Sequence, residues 1–384
     1  MNLKDVIIDM HQGINTVADK VEYLDEGIPI IQSKNFTKGY LDLEDVRYLG
    51  KDDEEKYIEK YNPHVGDILM ANIGTIGKSF VITEEEKFLI AWNAFLIKPN
   101  HKLVLSEFLK FYFDYLASTR YFDKLLTGGT VKFINKKKIG DIPFPKKDML
   151  EQKEIVKKLS AVENIVIARR NELEKLDELI KARFVEMFGN VQNEEKYPGI
   201  PLRELCTTIS GGTPSTKFPE YYEGDIPWIS TVSLGPNHID GANAKGYITE
   251  EAIKNSATKL IPAGNILFGT RVGVGKSSLN DVDICTNQDI VAIVGIDEEK
   301  YSRLFVKHVL DSYQPYFDSI KKGATILGIT SDDLKDSLIP QVPLGLQKEY
   351  EIFVCQVDKS KVAVQKALDE AQLLFDSLMQ KYFG

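Results

Sequence analysis

Two glycine-rich segments ending in Gly-Lys-Ser are the residues whose types and spacing come closest to phosphate or cofactor chemistry. Gly66 to Ser79 reads GDILMANIGTIGKS, and Gly264 to Ser277 reads GNILFGTRVGVGKS. A P-loop requires a glycine five residues ahead of the Gly-Lys pair, because its backbone amides wrap the phosphates, and those positions hold Asn72 and Thr270. A methyltransferase cofactor loop would place phenylalanine two residues before Gly-x-Gly. Arg271 stands there, and no Asn/Asp-Pro-Pro-aromatic tetrapeptide occurs. The triplet Glu85 to Lys87 lacks the preceding Pro-Asp pair of a nuclease centre. Cys206, Cys285 and Cys355 lie far apart with no C-x-x-C pair, so they read as buried thiols and suggest neither a metal site nor a disulfide framework. The expectation is a chain with no catalytic residue, no cofactor and no metal, in which Gly74, Gly77, Gly273 and Gly275 turn one strand into the next.

What remains is binding chemistry. Lys34, Asn35, Asn72, Lys78, Lys132, Lys136, Lys137 and Lys138 sit at turn-associated places in the first half of the chain. Thr231, Ser233, Thr270, Arg271, Lys276, Lys321 and Lys322 do so in the second. Lysine and arginine suit phosphates, whereas Asn, Ser, Thr and Arg also match base edges. Within the two glycine segments the Gly and Lys frame is kept while Asn72 becomes Thr270 and Ile73 becomes Arg271. A constant frame with changed exposed residues is what two readers of different sequences would show.

The elements that must position these residues also come in duplicate. An offset of 198 carries Gly66 onto Gly264 and Ile28-Pro29 onto Ile226-Pro227, and an offset of 195 carries Gln152-Lys-Glu onto Gln347-Lys-Glu and Phe188-Gly189 onto Phe383-Gly384. Such a period is too long for a solenoid, so a whole domain and its helix are duplicated, which suits a bipartite ligand. In each copy short β-rich runs (IPIIQSKNF, GDILMANIG, KSFVI and AFLIKP, then DIPWISTVSL, GNILFGTRVG and DIVAIVGI) precede helical periodicity at Leu105 to Leu126 and Lys300 to Ile320. The pattern predicts an α+β module with a curved or barrel-like sheet.

Each copy closes in a long helix. Residues 151–188 hold no glycine or proline, and apolar residues at Ile155, Leu159, Val162, Val166, Leu173, Leu176, Ile180 and Met187 fall four and three apart, broken only at Arg169 and Arg183. At about 1.5 Å per residue this helix spans roughly 57 Å. The second stripe runs through Tyr350, Val354, Val357, Val364, Leu368, Ala371, Phe375, Leu378 and Tyr382. A narrow stripe over five heptads packs on another like it, so the two helices are expected to pair as an antiparallel coiled coil. The polar faces carry balanced charge and read as solvated or partner-contacting. A net charge of −9 argues against a surface that attracts nucleic acid everywhere but permits local basic clefts. Without a secretory signal or a membrane-length apolar run, the expected location is cytoplasmic.

The order domain, long helix, domain, long helix, with GGTPSTKFPEYYEGDIPWISTVSL (Gly211 to Leu234), GDILMANIGTIGK and IPFPKKDMLEQKEIV (Ile142 to Val156), resembles the specificity subunit of type I restriction-modification systems over the whole chain. The resemblance implies target recognition domains at residues 1–150 and 191–345, each reading half of a split site in double-stranded DNA. It implies a central conserved helix at 151–190 and a C-terminal one at 346–384, which space the domains and dock two methyltransferase subunits. Restriction subunits join that complex, and the specificity subunit itself has no catalytic residue. Competing readings are a scaffold or adaptor that binds no nucleic acid, and a self-contained methyltransferase or nuclease. The first copy departs from the pattern at its start: LKDVIIDMHQGINT stands against LRELCTTISGGTPS, with Gly13 matched to Gly212.

Overall fold

A computed structural model describes residues 1–61, 63–129, 132–190, 196–323 and 327–384. The chain forms two compact units, Met1–Asn171 with Gln365–Gly384, and Glu172–Val364. The first contains β1 (Ile7–Gln12), β2 (Ile28–Ile31), β3 (Arg47–Leu49), α1 (Lys51–Tyr61), β4 (Ile68–Ala71), β5 (Ser79–Val81), β6 (Leu89–Ile90), β7 (Ala94–Pro99), α2 (Ser106–Ser118) and α3 (Lys136–Gly140). From there α4 (Met149–Phe188) runs into the second unit.

The second unit repeats the plan. It contains β8 (Gly199–Pro201), β9 (Thr207–Ser210), β10 (Ile226–Ile229), β11 (His238–Ile239), β12 (Gly246–Ile248), α5 (Glu250–Lys254), β13 (Ile266–Gly269), β14 (Ser277–Asn280), β15 (Cys285–Thr286) and β16 (Ile290–Val294). After these come α6 (Arg303–Ser312), α7 (Gln314–Ile320), α8 (Ser331–Lys335) and β17 (Leu338–Pro340), and α9 (Leu344–Phe383) returns into the first unit.

Sheet order shows the duplication directly. In the first unit the sheets run β1-β7-β4-β5 and β3-β2-β6; in the second they run β9-β16-β13-β14-β11 and β12-β10-β15, with β17 on β8. The middle strand of each small sheet pairs antiparallel on one side and parallel on the other. The fold is α+β, with its strands in these small sheets and its helices following them in each unit.

Side-chain alternation explains the layers. In β4 and β13 every residue is buried, because both faces of the strand are covered. Ile68 and Met70 join a core with α2, while Leu69 and Ala71 join one with Ile31, Phe36 and Ile90 around the small sheet. In the second unit Ile266 and Phe268 face α6 and α7, and Leu267 faces Ile229 and Ile284. The helical stretches break where the periodicity ran on. α2 stops at Ser118 and leads into a 3-10 turn at Tyr121–Leu125, and α6 gives way to α7 at Tyr313, ahead of Pro315.

Hydrogen bonding corrects the pairing of the two N-terminal segments. Gly13 donates its amide to Ala94 O as Gly211 does to Ile290 O, and Ile14 and Gly212 donate in turn to Ile90 O and Thr286 O. Gly13 therefore matches Gly211, not Gly212, at an offset of 198, whereas Leu3 and Val6 match Leu202 and Leu205 at 199, and the bulge in β1 between Ile7 and Asp9 takes up the extra residue. A Cβ on Gly13 would overlap the carbonyl oxygens of Ile90 and Ala91, and one on Gly211 would overlap those of Thr286 and Asn287. Gly211→Ala is expected to destabilise the second unit by about 1–3 kcal/mol, since backbone rather than a flexible side chain must yield. Urea denaturation measures this, and an unchanged midpoint would mean that the turn relaxes freely. The thiols also differ from expectation. Cys206 is half-buried and Cys285 buried, and burial pushes both up to about 11, but Cys355 is exposed.

Candidate nucleic-acid interface

The glycine segments do connect antiparallel strands, β4 to β5 and β13 to β14. Gly74, Gly77, Gly273 and Gly275 have φ between 69° and 87°, which glycine adopts without strain. Each loop is held by the chain just beyond α2 or α6. Gly77 packs under the Phe122 ring, and Gln314 Nε2 donates to Val274 O at 2.8 Å. A second segment lies alongside. Ile134 N reaches Asn72 O at 3.2 Å, and Ile329 N reaches Thr270 O at 2.8 Å. Thr127 pairs with Phe133, and Lys322 with Gly328.

In the first unit these elements surround an open cleft of about 750 Å³ lined by Lys78, Lys132, Asp114, Asp123 and Arg120. Arg120 was not among the sequence candidates. It takes a left-handed backbone (φ 56°) after the end of α2, and its side chain is 83% exposed beside Asp123. Nothing in residue type or spacing marks that conformation. In the second unit Arg271 is 56% exposed, with its guanidinium 3.7 Å from Asp289, and Lys276 is also exposed. Lys321 pairs with Asp318, and Lys322 is exposed.

The other candidates divide by burial. Asn35 is buried, and its amide donates to Asp42 O and Asp45 O at 3.1 and 3.0 Å, so it knots its own loop. Asn72, Thr231 and Thr270 are buried too, and the Thr270 hydroxyl donates to Asp289 O at 3.2 Å. These four present no free side chain at the surface, because the turn consumes it or covers it. Ser233 is half-buried and donates to Asn243 O at 2.6 Å. Lys34 is exposed on Asp45, Lys136 on Asp9 at 3.2 Å, and Lys137 is exposed. Lys138 donates to Leu125 O at 2.9 Å, tying α3 to the turn after α2. Thus Lys78 and Lys132 are brought to one cleft, whereas Lys34 and Lys136 pair with carboxylates elsewhere in their unit.

Along α4 and α9, Ile155, Leu159, Val162 and Ile180 are buried, as are Tyr350, Val354 and Val357, while Leu173, Leu176, Leu368, Phe375 and Leu378 are half-buried. Phe184, Phe188 and Met379 are buried there as well, and the heptad reading missed them. Within the second unit Lys361 meets Asp177 at 2.5 Å and Arg183 meets Glu349 at 3.2 Å, so those two segments run antiparallel. Within the first, Arg170 donates to Gln372 at 3.2 Å.

The Gln-Lys-Glu repeat marks a buried clamp. Gln152 and Gln347 stand fourth in their helices, fully buried. Gln152 accepts from Leu105 N at 2.9 Å and donates to Leu103 O and Lys147 O at 2.8 and 3.0 Å. Gln347 accepts from Ser302 N at 2.9 Å and donates to Lys300 O and Val342 O at 3.1 and 2.7 Å. Likewise Trp228 of the IPW triplet donates its indole N–H to Gly212 O at 3.1 Å, which makes two sequence motifs one contact.

No cluster of three or more metal-ligating side chains occurs among the described residues, and no helix there is long and apolar enough to cross a membrane. The sequence model of the type I restriction modification DNA specificity domain matches residues 1–177 and again 194–371. The chain belongs to that family. As a specificity-family protein it resembles the putative type I restriction enzyme MjaX specificity subunit of Methanocaldococcus jannaschii, at 23% identity over 95% of this chain and 89% of that one. The EcoR124I/EcoR124II specificity subunit of Escherichia coli is 32% identical over 41% of this chain and 39% of its own length. The S subunit structure from M. genitalium shares the fold across all of this chain and 95% of its own, with a TM-score of 0.56 and 14% identity. A structure from a study of complex assembly and conformational transition of the type I R-M system covers all of this chain and 96% of its own, at 0.51 and 17%.

Proposed function

We propose that this specificity-family protein reads a bipartite site in double-stranded DNA, one half per copy, and docks methyltransferase and restriction subunits without catalysing a reaction itself. Residues 1–150 and 191–345 serve as the two target recognition domains in this reading. The long helices serve as an antiparallel coiled-coil spacer, and the complex works in the cytoplasm. The observation that carries it is the duplicated loop pair: the same glycine frame in both units, with Lys78 beside Arg120 and Lys132 in one and Arg271 and Lys276 in the other. Equal scaffolds with different cations at the rim suit two half-sites of different sequence.

The test is selection of preferred sequences from a randomised duplex library by the purified chain with its methyltransferase partner. Two conserved blocks separated by a fixed gap are expected, and enrichment of no sequence would favour the scaffold reading. In the same assay Arg271→Ala is expected to relax base preference in one block by about 1–3 kcal/mol and leave the other block unchanged. Uniform weakening across all sequences would make Arg271 a phosphate contact instead.

A further inference from the structure

The duplication kept a partly buried ion pair that the proposed DNA reading does not use. Counted from Leu105 and Ser302, whose amides the clamp glutamines hold, Lys110 matches Lys307 and Asp114 matches Asp311. Between residues 105–118 and 302–315 only these two and Phe108/Phe305 are identical. Lys110 Nζ lies 3.1 Å from Asp114 and 2.5 Å from Glu163 on α4. Lys307, 2% exposed, lies 2.7 Å from Asp311, whose other oxygen accepts the Ser277 hydroxyl at the head of β14. Ser79 holds the same place at the head of β5, buried beside Asp114 in one cavity, but its hydroxyl has no hydrogen-bond partner, so the serine–aspartate bond is not repeated.

Both pairs wall a cavity, of about 620 Å³ in the first unit and 470 Å³ in the second. Phe375 and Met379 line the first, and Ile180 and Phe184 line the second at positions 195 residues earlier. Burial depresses the Lys110 ammonium, but Asp114 and Glu163 outweigh it and hold the group above its ordinary value. Burial likewise pushes the Asp114 carboxyl up against the pull of Lys110. An apolar pair would fill this space without desolvating charge, so retention of both ions in otherwise divergent helices points to orientation rather than stability. Each pair stands between a long helix and the first residue after a glycine loop, and Lys78 lines the same cavity as Lys110.

We infer that Lys110 and Lys307 are positioning residues for DNA reading: each fixes the angle of its glycine loop against the long-helix face of its own unit, and so sets the base selectivity of its own half-site. This rests on the DNA reading proposed above. The experiment repeats the duplex selection with Lys110→Met and Lys307→Met in the full chain with its partner, after circular dichroism melting has shown each variant folded. Lys110→Met is expected to lower base discrimination about tenfold in the block that the first copy reads and to spare the other, Lys307→Met the reverse, and Lys110→Arg to recover most of the loss. Where Lys110→Met melts below the assay temperature, Glu163→Gln removes only the tie to α4 and carries the same expectation. Wild-type discrimination in a folded Lys110→Met or Glu163→Gln protein overturns the inference, as does equal relaxation of both blocks. Lys78→Ala and Arg271→Ala separate the two failures. If they relax discrimination and Lys110→Met does not, only the positioning role falls; if none of the three has an effect, the loops do not read DNA and the inference falls with that reading.

Discussion

Gln347→Ala is expected to cost about 3–5 kcal/mol of unfolding free energy, a loss well above that of a typical single substitution. Truncation removes three hydrogen bonds, orphaning Ser302 N and Val342 O in a buried place and Lys300 O in a partly buried one. Each buried polar group left unpaired costs about 1–3 kcal/mol, and the missing side-chain volume adds to that. The loss strikes where α9, α6 and the strand end before Val342 meet, so the second unit should lose cooperativity at lower denaturant. Gln152→Ala should do the same to the first unit. Urea denaturation of the full chain, with the exposed neighbour Lys348→Ala as control, checks this: the control should shift stability by no more than about 0.5 kcal/mol. A Gln347→Ala loss as small as the control's would mean that the clamp is ornamental and that apolar packing alone seats the helix.

The second large effect is on function. On the spacer reading, one heptad added at matched places in both long helices, after Leu173 and after Leu368, lengthens each by about 10 Å. DNA rises about 3.4 Å per base pair, so the gap between the selected blocks should grow by roughly three base pairs while the blocks keep their sequences. Three base pairs also turn the duplex by nearly a third of its repeat, so affinity should fall unless the protein or the DNA twists. Site selection with the lengthened chain reads both quantities at once. An unchanged gap in a folded, DNA-binding variant would mean that helix length does not set the spacing.

Much of the fold was legible in the residues because it rests on local chemistry. The heptad stripes gave both long helices, since a 3.5-residue repeat without glycine or proline allows little else. The offset of 198 gave two like domains, and the failure of the Walker spacing at Asn72 and Thr270 left turns as the role of the glycines, which their positive φ bears out. The sheets were harder. β1 and β9 are sheet edges with mixed burial, so they lack the apolar run that exposed β4 and β13 to view. Residue type alone said that Asn35, Asn72, Thr231 and Thr270 are polar and near turns. Only tertiary structure decided that they are buried, because a turn side chain can point outward or be spent on backbone with the same sequence around it. The same holds for Arg120, brought beside Lys78 and Lys132 by a left-handed residue after α2, and for Gln152 and Gln347. Their repeat was visible as three letters, yet their role lies in partners 45 to 49 residues away. Sequence by itself determined the duplication, the long helices and the failure of the Walker spacing in both glycine segments, which rest on local periodicity and fixed spacing. Tertiary structure decided which polar side chains remain free, because that depends on carbonyls and carboxylates brought up from distant strands.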